Sequence, residues 1–295
     1  MHSIPFNYLG YPAVELYVYG KLEEVDLFIL CQHGFSNSSF TDFFPKFSPS
    51  YNGELPRDIF SEYLDIEHDF GARQLSKSIA ENLSVHINVA VIAVNCDRGI
   101  VDANREDENC IRPLVKTYAS VETLSELLSI NKFIRTTVYS TLKKNLHPNG
   151  YILDIHSMWP YTLNINPDEC SNFSQFVHLY KSSSYIKEKR KVNFIVHDIN
   201  GLAIADKLIS NSVEKTLRQK DYKTEYDKPY YILSERSNYR YFKDFKGVAI
   251  DIPRDLIGDP RKESFPDFSN MIESTKKVKH LSGAISLGIR NLYNF

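Results

Sequence analysis

The sequence predicts an α/β fold of three layers, in which a mixed, mostly parallel β-sheet carries helices on both of its faces. Two observations favour this architecture. Short apolar runs rich in β-branched residues recur along the chain, and such runs are typical of strands that are buried on both faces. Segments with helical spacing of apolar residues separate these runs. An alternation of strands and helices favours a parallel sheet, because each crossover helix packs on one face of the sheet.

The apolar runs that we predict as strands are each long enough to cross a sheet once. They are residues 26–32, 89–95, 151–155, 192–196 and 247–252. The segments that we predict as helices are residues 71–83, 121–142 and 201–218. The first helix shows the pattern most clearly, since Leu75, Ile79 and Leu83 recur every four residues and therefore share one helical face.

Two other segments lack such a pattern. Residues 35–58 are rich in Ser, Asn, Pro and Phe, which predicts a long loop, and loops of this length in compact domains are often functional. Residues 182–191 include four basic side chains and are predicted as a solvated loop or a helix end. The sequence contains neither an internal repeat nor a linker, so we expect a single domain of residues 1–295.

The overall charge and hydropathy argue against several classes of partner. A net charge of −2 at pH 7 is too balanced to predict binding to nucleic acid or to an acidic membrane surface. No apolar run reaches the roughly 18–20 residues that cross a bilayer, and the first residues lack the basic and apolar regions of a secretory signal. The four cysteines are widely spaced, which predicts free thiols in a reducing compartment, and we expect a cytoplasmic protein.

Polar side chains end or interrupt three of the predicted strands. Asp154 and His156 end one apolar run, His33 follows another, and Asp251 interrupts a third. In an open α/β sheet the ligand crevice lies at the carboxyl ends of the strands, so these groups are candidates for chemistry. Each also has a structural alternative, because a histidine at a strand end is often a hydrogen-bonded structural residue and Asp251 is able to pair with Arg254.

A second polar cluster lies directly after the second predicted strand. It contains Arg98, Asn104 and Arg105 within eight residues. Guanidinium groups bind carboxylates through two parallel hydrogen bonds, so two arginines beside a metal suit a substrate that carries one or more carboxylates. The alternative is a loop held together by ion pairs, in which Asp97 and Asp102 are the partners of the arginines.

The order of these segments resembles that of the N-formylglutamate amidohydrolase family, which belongs to the wider group of zinc-carboxypeptidase-like hydrolases. Residues 98–105 match an Arg-x-x-x-Asp-x-Asn-Arg motif, and residues 154–157 match Asp-x-His-Ser. Weaker matches are the run from His33 through Gly34 and Phe35 to Ser36, Asp69 before the first helix, residues 222–230 with Asp227 in place of an asparagine, and Asp251 at the start of Asp-Ile-Pro-Arg. The resemblance extends from about residue 27 to about residue 257.

This resemblance implies the fold of zinc carboxypeptidases and phosphorylase/hydrolase-like proteins, and the activity of a metal-dependent amidohydrolase resembling N-formylglutamate deformylase. The implied cofactor is zinc, and its implied ligands are His33, Asp69 and His156. Zinc with three protein ligands keeps an open position for water, lowers the pKa of that water and polarises the scissile carbonyl. Such an enzyme hydrolyses the amide bond of a small N-acyl amino acid or a related carboxylate.

The same resemblance implies roles for the remaining candidates. Asp251 is the catalytic base, which takes a proton from the water and passes it to the leaving amine. Arg98 stabilises the developing oxyanion or holds the substrate carboxylate, while Asn104 and Arg105 bind the substrate. Asp154 is expected to fix the tautomer of the histidine two residues after it.

Several positions depart from the family pattern or compete with it. Zinc carboxypeptidases use His-x-x-Glu as paired ligands, and Ser36 stands at the place of that glutamate. The carboxylate ligand that the family implies is Asp69, and Glu67 is close enough in sequence to compete with it. The family glutamate of the late strand is Asp251, whose side chain is one methylene shorter. His197 also follows a predicted strand and is the competing histidine.

Two other functions stay open. The loop of residues 35–58 and the tyrosines of residues 230–241 are able to shape a wider cleft, which favours a carboxypeptidase or a peptidoglycan-type amidase that acts on peptides. A non-catalytic relative that binds a ligand is the other alternative, because Asp251 replaces the glutamate and the His-x-x-Glu pair is missing. For an enzyme, we expect a small-molecule or short-peptide substrate with a carboxylate, and neither a nucleic acid nor a membrane as partner.

Overall fold

The computed structural model describes residues 1–33, 39–49, 55–260 and 271–293. The strands in this part of the chain are β1 (His2–Tyr8), β2 (Tyr11–Tyr19), β3 (Val25–Cys31), β4 (Val89–Val94), β5 (Leu146–Met158), β6 (Tyr161–Leu163), β7 (Ile186–Lys189), β8 (Val192–Ile195), β9 (Thr224–Tyr226), β10 (Gly247–Pro253), β11 (Gly258–Pro260) and β12 (Met271–Glu273). The helices are α1 (Ser39–Phe43), α2 (Arg57–Glu67), α3 (Ala72–Leu83), α4 (Pro113–Lys116), α5 (Val121–Asn145), α6 (Phe173–Lys181), α7 (Lys207–Gln219), α8 (Ser237–Asp244) and α9 (Thr275–Leu292).

The central sheet has eight strands in the order β1-β2-β4-β3-β5-β10-β8-β9. The four strands β4, β3, β5 and β10 run parallel to one another at its centre. Strand β2 is antiparallel to both β1 and β4, and β8 is antiparallel to β10. The mixed, mostly parallel sheet that the sequence predicts is therefore confirmed.

Helices cover both faces of this sheet. Helix α3 connects β3 to β4, and α5 connects β4 to β5 in the opposite direction across the sheet. Connections between parallel strands are right-handed, so these two helices lie on opposite faces. Ser78 of α3 and Ser282 of α9 are joined by a hydrogen bond of 2.8 Å between their Oγ atoms. Thr216 of α7 donates to the Ala284 carbonyl of α9 at 2.9 Å. The three-layer arrangement predicted from the sequence is thus confirmed.

The predicted strands are all present, and β5 departs most from its predicted boundaries. It begins at Leu146 instead of residue 151 and continues past Asp154 and His156 to Met158. Its second half is buried on both faces between β3 and β10, which explains why that half carries the apolar pattern and the exposed first half does not.

Asp206 determines where helix α7 begins. Its side chain accepts hydrogen bonds from the backbone N–H groups of Leu208 and Ile209, at 2.8 and 3.2 Å. Such a cap satisfies donors that have no partner in the first helical turn. The helix predicted for residues 201–218 therefore begins only after Asp206.

The predicted loop of residues 35–58 contains helical structure in its described part, so that prediction was wrong there. Helix α1 lies within it, and α2 begins before its end. Aromatic packing explains this, because Phe40 and Phe44 lie one helical turn apart, with ring centroids 5.5 Å from each other, and both rings contact the Tyr11 ring. Residues 35–38 and 50–54 of this segment lie outside the described residues, and so do Gly34, Phe35 and Ser36 of the first motif.

The sequence pattern missed the β1–β2 hairpin, the antiparallel pair of strands β6 and β7, and helix α9. Residues 182–191, predicted as a solvated loop or helix end, include β7, which pairs antiparallel with β6. Three of the four residues of β7 are exposed, so no apolar alternation marks this strand in the sequence. Among the described residues, none of the helices is long and apolar enough to cross a membrane.

Candidate metal centre

Three metal-capable side chains meet at the carboxyl-terminal edge of the parallel strands. His33 follows the end of β3, His156 lies near the end of β5, and these two strands are neighbours in the sheet. Asp69 lies in the turn between α2 and α3, and its backbone N–H donates to the His33 carbonyl at 2.9 Å. This hydrogen bond ties the turn between two helices to the edge of the sheet.

Asp69 lies between the two histidine rings. Its Oδ2 atom is 2.9 Å from Nδ1 of His156 and 3.4 Å from Nδ1 of His33. The two ring centroids are 5.0 Å apart, and one possible ligand atom from each of the three residues lies within 4.8 Å of the others. All three residues are buried. The sequence-predicted ligands are therefore brought together in space.

A second carboxylate faces the other side of each imidazole ring. Nε2 of His33 lies 2.8 Å from Oδ1 of Asp102, and Nε2 of His156 lies 3.0 Å from Oδ2 of Asp154. Gln32 donates to the same Asp154 oxygen at 3.0 Å. A carboxylate beside Nε2 favours a proton on that nitrogen and leaves Nδ1 as the nitrogen that is able to bind a metal ion. Both histidines thus present Nδ1 to the side where Asp69 lies.

These residues fit a zinc ion. Nδ1 of His33 is buried and has no hydrogen-bond partner among the described residues, although buried polar atoms rarely lack one. Arg98 donates from Nη1 to Oδ1 of Asp69 at 3.0 Å, which leaves the second oxygen directed at the rings. Two imidazole nitrogens and one carboxylate oxygen form a donor set found in catalytic zinc sites.

Opposing charges balance one another in this centre. Burial opposes the ionisation of Asp69, but His33 and Arg98 hold the pKa of its carboxyl well below the usual range. Burial also opposes the protonation of His156, yet Asp154 and Asp69 raise the pKa of its ring well above the usual value. For His156 to ligate a cation here, its Nδ1 would have to lose its proton, because a metal-binding imidazole must be deprotonated at the ligating nitrogen.

The arginine-rich loop after β4 surrounds Asp102. Nε of Arg105 lies 3.0 Å from Oδ2 of Asp102, and Nη1 of Arg236 lies 3.7 Å from the same oxygen. Nε of Arg98 is 3.8 Å from it. The ion pairs expected as the structural alternative are therefore present at Asp102, which also contacts His33. Asp102 joins the arginine cluster to the candidate metal ligand.

Asp97 does not pair with an arginine among the described residues, so that part of the sequence expectation was wrong. It is buried, and its Oδ2 atom has no hydrogen-bond partner in the described part of the chain. Burial, with added repulsion from Asp65 and Asp42, raises the pKa of its carboxyl to about 8. Asp97 lies three residues after the end of β4 and one residue before Arg98.

The two competing ligand candidates have partners elsewhere. Nη2 of Arg112 donates to Oε1 of Glu67 at 3.1 Å, which occupies that carboxylate in a buried ion pair. Nδ1 of His197 lies 2.7 Å from Oδ2 of Asp227, the residue that stands in place of the family asparagine. Neither Glu67 nor His197 belongs to the group of three residues that the structure brings within reach of one ion.

Asp251 lies directly beside the centre. It pairs in parallel register with His156 across β5 and β10, and it is buried. Burial is the main cause that raises the pKa of the Asp251 carboxyl above its usual value. The expected structural alternative, an ion pair with Arg254, was wrong, because that guanidinium donates to backbone carbonyls of α2 instead.

A small cavity of about 60 Å³ opens onto the centre. Its lining includes the sequence-predicted residues His33, Arg98, Asn104, His156 and Asp251. It also includes Arg236 and Asn238, which no sequence motif indicated, and Tyr230 and Tyr231, which the sequence predicted only as residues of a wider cleft. No motif marks Arg236, and the one available signal was the concentration of tyrosine and arginine in that segment. Arg236 reaches the site because the segment before α8 packs next to the loop that carries Asp102.

Comparison with solved structures identifies the same fold in two other proteins. N-formylglutamate amidohydrolase from Ralstonia eutropha JMP134 matches with a TM-score of 0.59 and 13% identity, over 95% of this chain and 97% of that chain. A gene product from Agrobacterium tumefaciens matches with a TM-score of 0.57 and 12% identity, over 95% of each chain. No protein-family model matches the chain, and no curated protein matches its sequence. The resemblance drawn from the order of motifs is confirmed at the level of the fold.

Proposed function

We propose that the protein is a metal-dependent hydrolase that cleaves the amide bond of a small N-acyl amino acid or a related carboxylate. The observation that carries this proposal is the position of Asp69 between Nδ1 of His33 and Nδ1 of His156, with a further carboxylate behind each ring. The shared fold supports it, because the Ralstonia protein is named for the hydrolysis of an N-acyl amino acid.

The ion that we propose is zinc, with His33, Asp69 and His156 as its ligands. When bound, zinc acts as a Lewis acid on the scissile carbonyl and lowers the pKa of the attacking water. Asp102 and Asp154 hold the two histidine rings in the orientation that directs Nδ1 at the ion.

Asp251 is the proposed base for the reaction. It lines the cavity next to His156, and its raised pKa brings the carboxylate closer to the range in which a base both accepts and returns a proton. Asp251 takes a proton from the attacking water and delivers it to the nitrogen of the leaving amine.

The arginine cluster is the proposed binding site for the substrate's charged groups. Arg98 donates to Asp69 and lines the cavity, and these contacts support a role in donating to the carbonyl oxygen as negative charge develops there. Arg105 and Arg236 contact Asp102, and Asn104 and Arg236 line the cavity. We propose that these three residues hold a substrate carboxylate.

A peptide substrate is the second candidate, and one observation favours it. Tyr230 and Tyr231 line the cavity while 40% and 45% of their surfaces stay exposed. Aromatic side chains that are half exposed at the mouth of a cavity offer apolar contact area to a substrate longer than a single amino acid. A carboxypeptidase or an amidase that acts on peptides makes use of such a surface.

Zinc analysis and paired assays test the proposal. We expect the purified protein to contain or acquire about one zinc ion per chain and to hydrolyse N-formylglutamate faster than short peptides. His156→Ala is expected to lose both zinc and activity. His197→Ala is the matched control, because this histidine pairs with Asp227 outside the centre, and it is expected to keep both.

Three other outcomes contradict the proposal in different ways. Activity on peptides alone supports the carboxypeptidase or amidase alternative. A folded protein that neither contains nor acquires a metal ion supports a non-catalytic, ligand-binding relative. Equal loss of zinc in the two histidine variants contradicts the assignment of the ligands.

A further inference from the structure

The turn that carries Asp69 is short. Helix α2 ends at Glu67 and α3 begins at Ala72. Gly71 adopts a left-handed conformation (φ of 69°), which allows the chain to reverse within these few residues. The last carbonyl groups of α2 have no partners within the helix, so this end depends on groups from elsewhere in the fold.

Arg254 supplies the missing donors. Its guanidinium is almost completely buried, with 2% of its surface exposed. Nη1 donates to the Asp65 carbonyl at 3.1 Å, and Nη2 donates to the Ile66 carbonyl at 2.6 Å. Nη2 also donates to the carbonyl of His68, the residue directly before Asp69. One side chain thus holds the end of α2 and the start of the turn.

The segment after Arg254 packs against the same turn. A Cβ atom added at Gly71 would lie 3.0 Å from Cδ1 of Ile257. A Cβ atom added at Gly258 would lie 2.5 Å from the Phe70 ring. These close approaches mean that the segment after β10 and the α2–α3 turn fit together with no room for further atoms.

We propose that Arg254 is a positioning residue for the carboxylate ligand, which fixes the backbone of the α2–α3 turn so that Asp69 stays between the two histidine rings. Arg98 holds Oδ1 of the Asp69 carboxylate, whereas Arg254 holds the backbone from which that carboxylate extends. This inference rests on the metal centre of the proposed function.

The chemistry of the guanidinium explains why an arginine is needed here. Its two terminal nitrogens lie in one plane and point at separate acceptors, so it spans three carbonyls at once. A lysine keeps the positive charge, but its donors share a single nitrogen. A methionine keeps much of the volume and supplies no donor. Comparing arginine, lysine and methionine at position 254 therefore distinguishes the effect of hydrogen-bond geometry from the effects of charge and of packing.

Zinc affinity tests this inference, with the dissociation constant measured by competition against a fluorescent chelator. Arg254→Met is expected to weaken zinc binding about 10- to 100-fold, as is common when a group that orients a ligand is lost. Arg254→Lys is expected to be intermediate. Both are measured at a temperature at which circular dichroism shows that they are folded.

The control separates positioning from general destabilisation. Leu217→Ala is expected to open a cavity in the buried core at α7, a helix that contributes no residue to the three candidate ligands or to the cavity lining, and to lower the melting temperature. It is expected to bind zinc like the parent. If Arg254→Met does not fold, Arg254→Lys carries the test.

Each result has a definite meaning. Unchanged zinc affinity in Arg254→Lys and Arg254→Met overturns the positioning role while the metal centre stands. A loss of affinity in Leu217→Ala as large as in the arginine variants also overturns it. A parent protein that binds no zinc contradicts the proposed function itself.

Discussion

Each candidate histidine is held by one carboxylate on each side of its ring. Asp69 faces Nδ1 of both rings, while Asp102 and Asp154 face the Nε2 atoms. The near carboxylate is a candidate ligand, and the far ones select which nitrogen is free to bind a metal. At the scale of single residues, this arrangement of carboxylates on both sides of each ring is the strongest indication of a metal centre.

Removing the far carboxylate of His156 tests this arrangement. In Asp154→Asn the amide presents a neutral group to Nε2 and no longer favours the required tautomer. We expect zinc affinity to fall about 10- to 100-fold with little loss of stability. Isothermal titration with zinc measures the change, and an Asp154→Asn protein that binds zinc as tightly as the parent contradicts the role of Asp154.

Asp251 is expected to act in the reaction and not in metal binding. Asp251→Asn removes the base without removing a ligand, so we expect zinc content to stay near that of the parent while kcat falls about 10²- to 10⁴-fold. Elemental analysis and a steady-state assay of the same preparation check both parts. Asp251→Glu restores the family residue and is expected to keep activity, and an active Asp251→Asn enzyme rules out this base.

Asp97 makes the stability of the protein depend on pH. Its pKa is about 8 when folded, and an aspartate in an unfolded chain titrates near 3.9. Between these values the folded state binds the extra proton, so stability falls as the pH rises, by up to about 1.4 kcal/mol per pH unit. Asp97→Asn has no charge to bury, so it is expected to exceed the parent in stability at pH 8 and to match it near pH 4.

Urea unfolding at pH 4, 6 and 8 measures this difference. Asp221→Asn is a suitable control, because Asp221 is exposed and its substitution removes the same charge from the surface. If the gain in stability of Asp97→Asn is the same at every pH, protonation of Asp97 is not the cause of the pH dependence.

At the scale of elements, strands were easier to predict than the turns and helices between them. The central strands β3, β4 and β10 and the second half of β5 are buried on both faces, so most of their residues are apolar. Helix α9 was missed although it packs on α3 and α7. Its polar contacts with them run through small hydroxyl groups, as between Ser78 and Ser282, and these residues leave little pattern in a sequence.

The start of α7 shows how a single side chain defines an element. Asp206→Ala removes the acceptor of two backbone N–H groups, and we expect the free energy of unfolding to fall by about 1 kcal/mol. Asp206→Asn keeps an acceptor oxygen and is expected to stay close to the parent. Chemical denaturation of the three proteins at one pH checks the order, and equal stability of all three contradicts the cap.

At the scale of the whole molecule, the candidate centre joins three separate parts of the chain. His33 and His156 come from adjacent strands, and Asp69 comes from a turn between two helices. A site that contains all three residues exists only in the folded protein. A metal ion that binds there therefore adds its binding free energy to the stability of the fold.

Zinc is therefore expected to stabilise the protein as a whole. At a free concentration 100 times the dissociation constant, binding adds about 2.7 kcal/mol to the free energy of unfolding, and the melting temperature rises by several degrees. A chelator is expected to reverse the rise. His156→Ala is the control, and its melting temperature is expected not to rise with zinc. If neither zinc nor the chelator changes the melting temperature of the parent protein, metal binding does not stabilise the fold.

The sequence by itself determined the fold class, the central strands and most of the polar groups at the strand ends. These follow from local patterns, because an apolar run predicts burial and a polar group at its end predicts a site. The order of the motifs also determined the resemblance to a family, and with it the three candidate ligands His33, Asp69 and His156.

Only the tertiary structure decided between candidates that look alike in sequence. Asp69 and Glu67 are two residues apart, yet one faces the histidines and the other faces Arg112. Arg236 joins the Asp102 cluster from more than a hundred residues away, and Arg254 holds the turn before Asp69. Such contacts depend on how helices and strands pack in three dimensions, and no local spacing in the sequence records them.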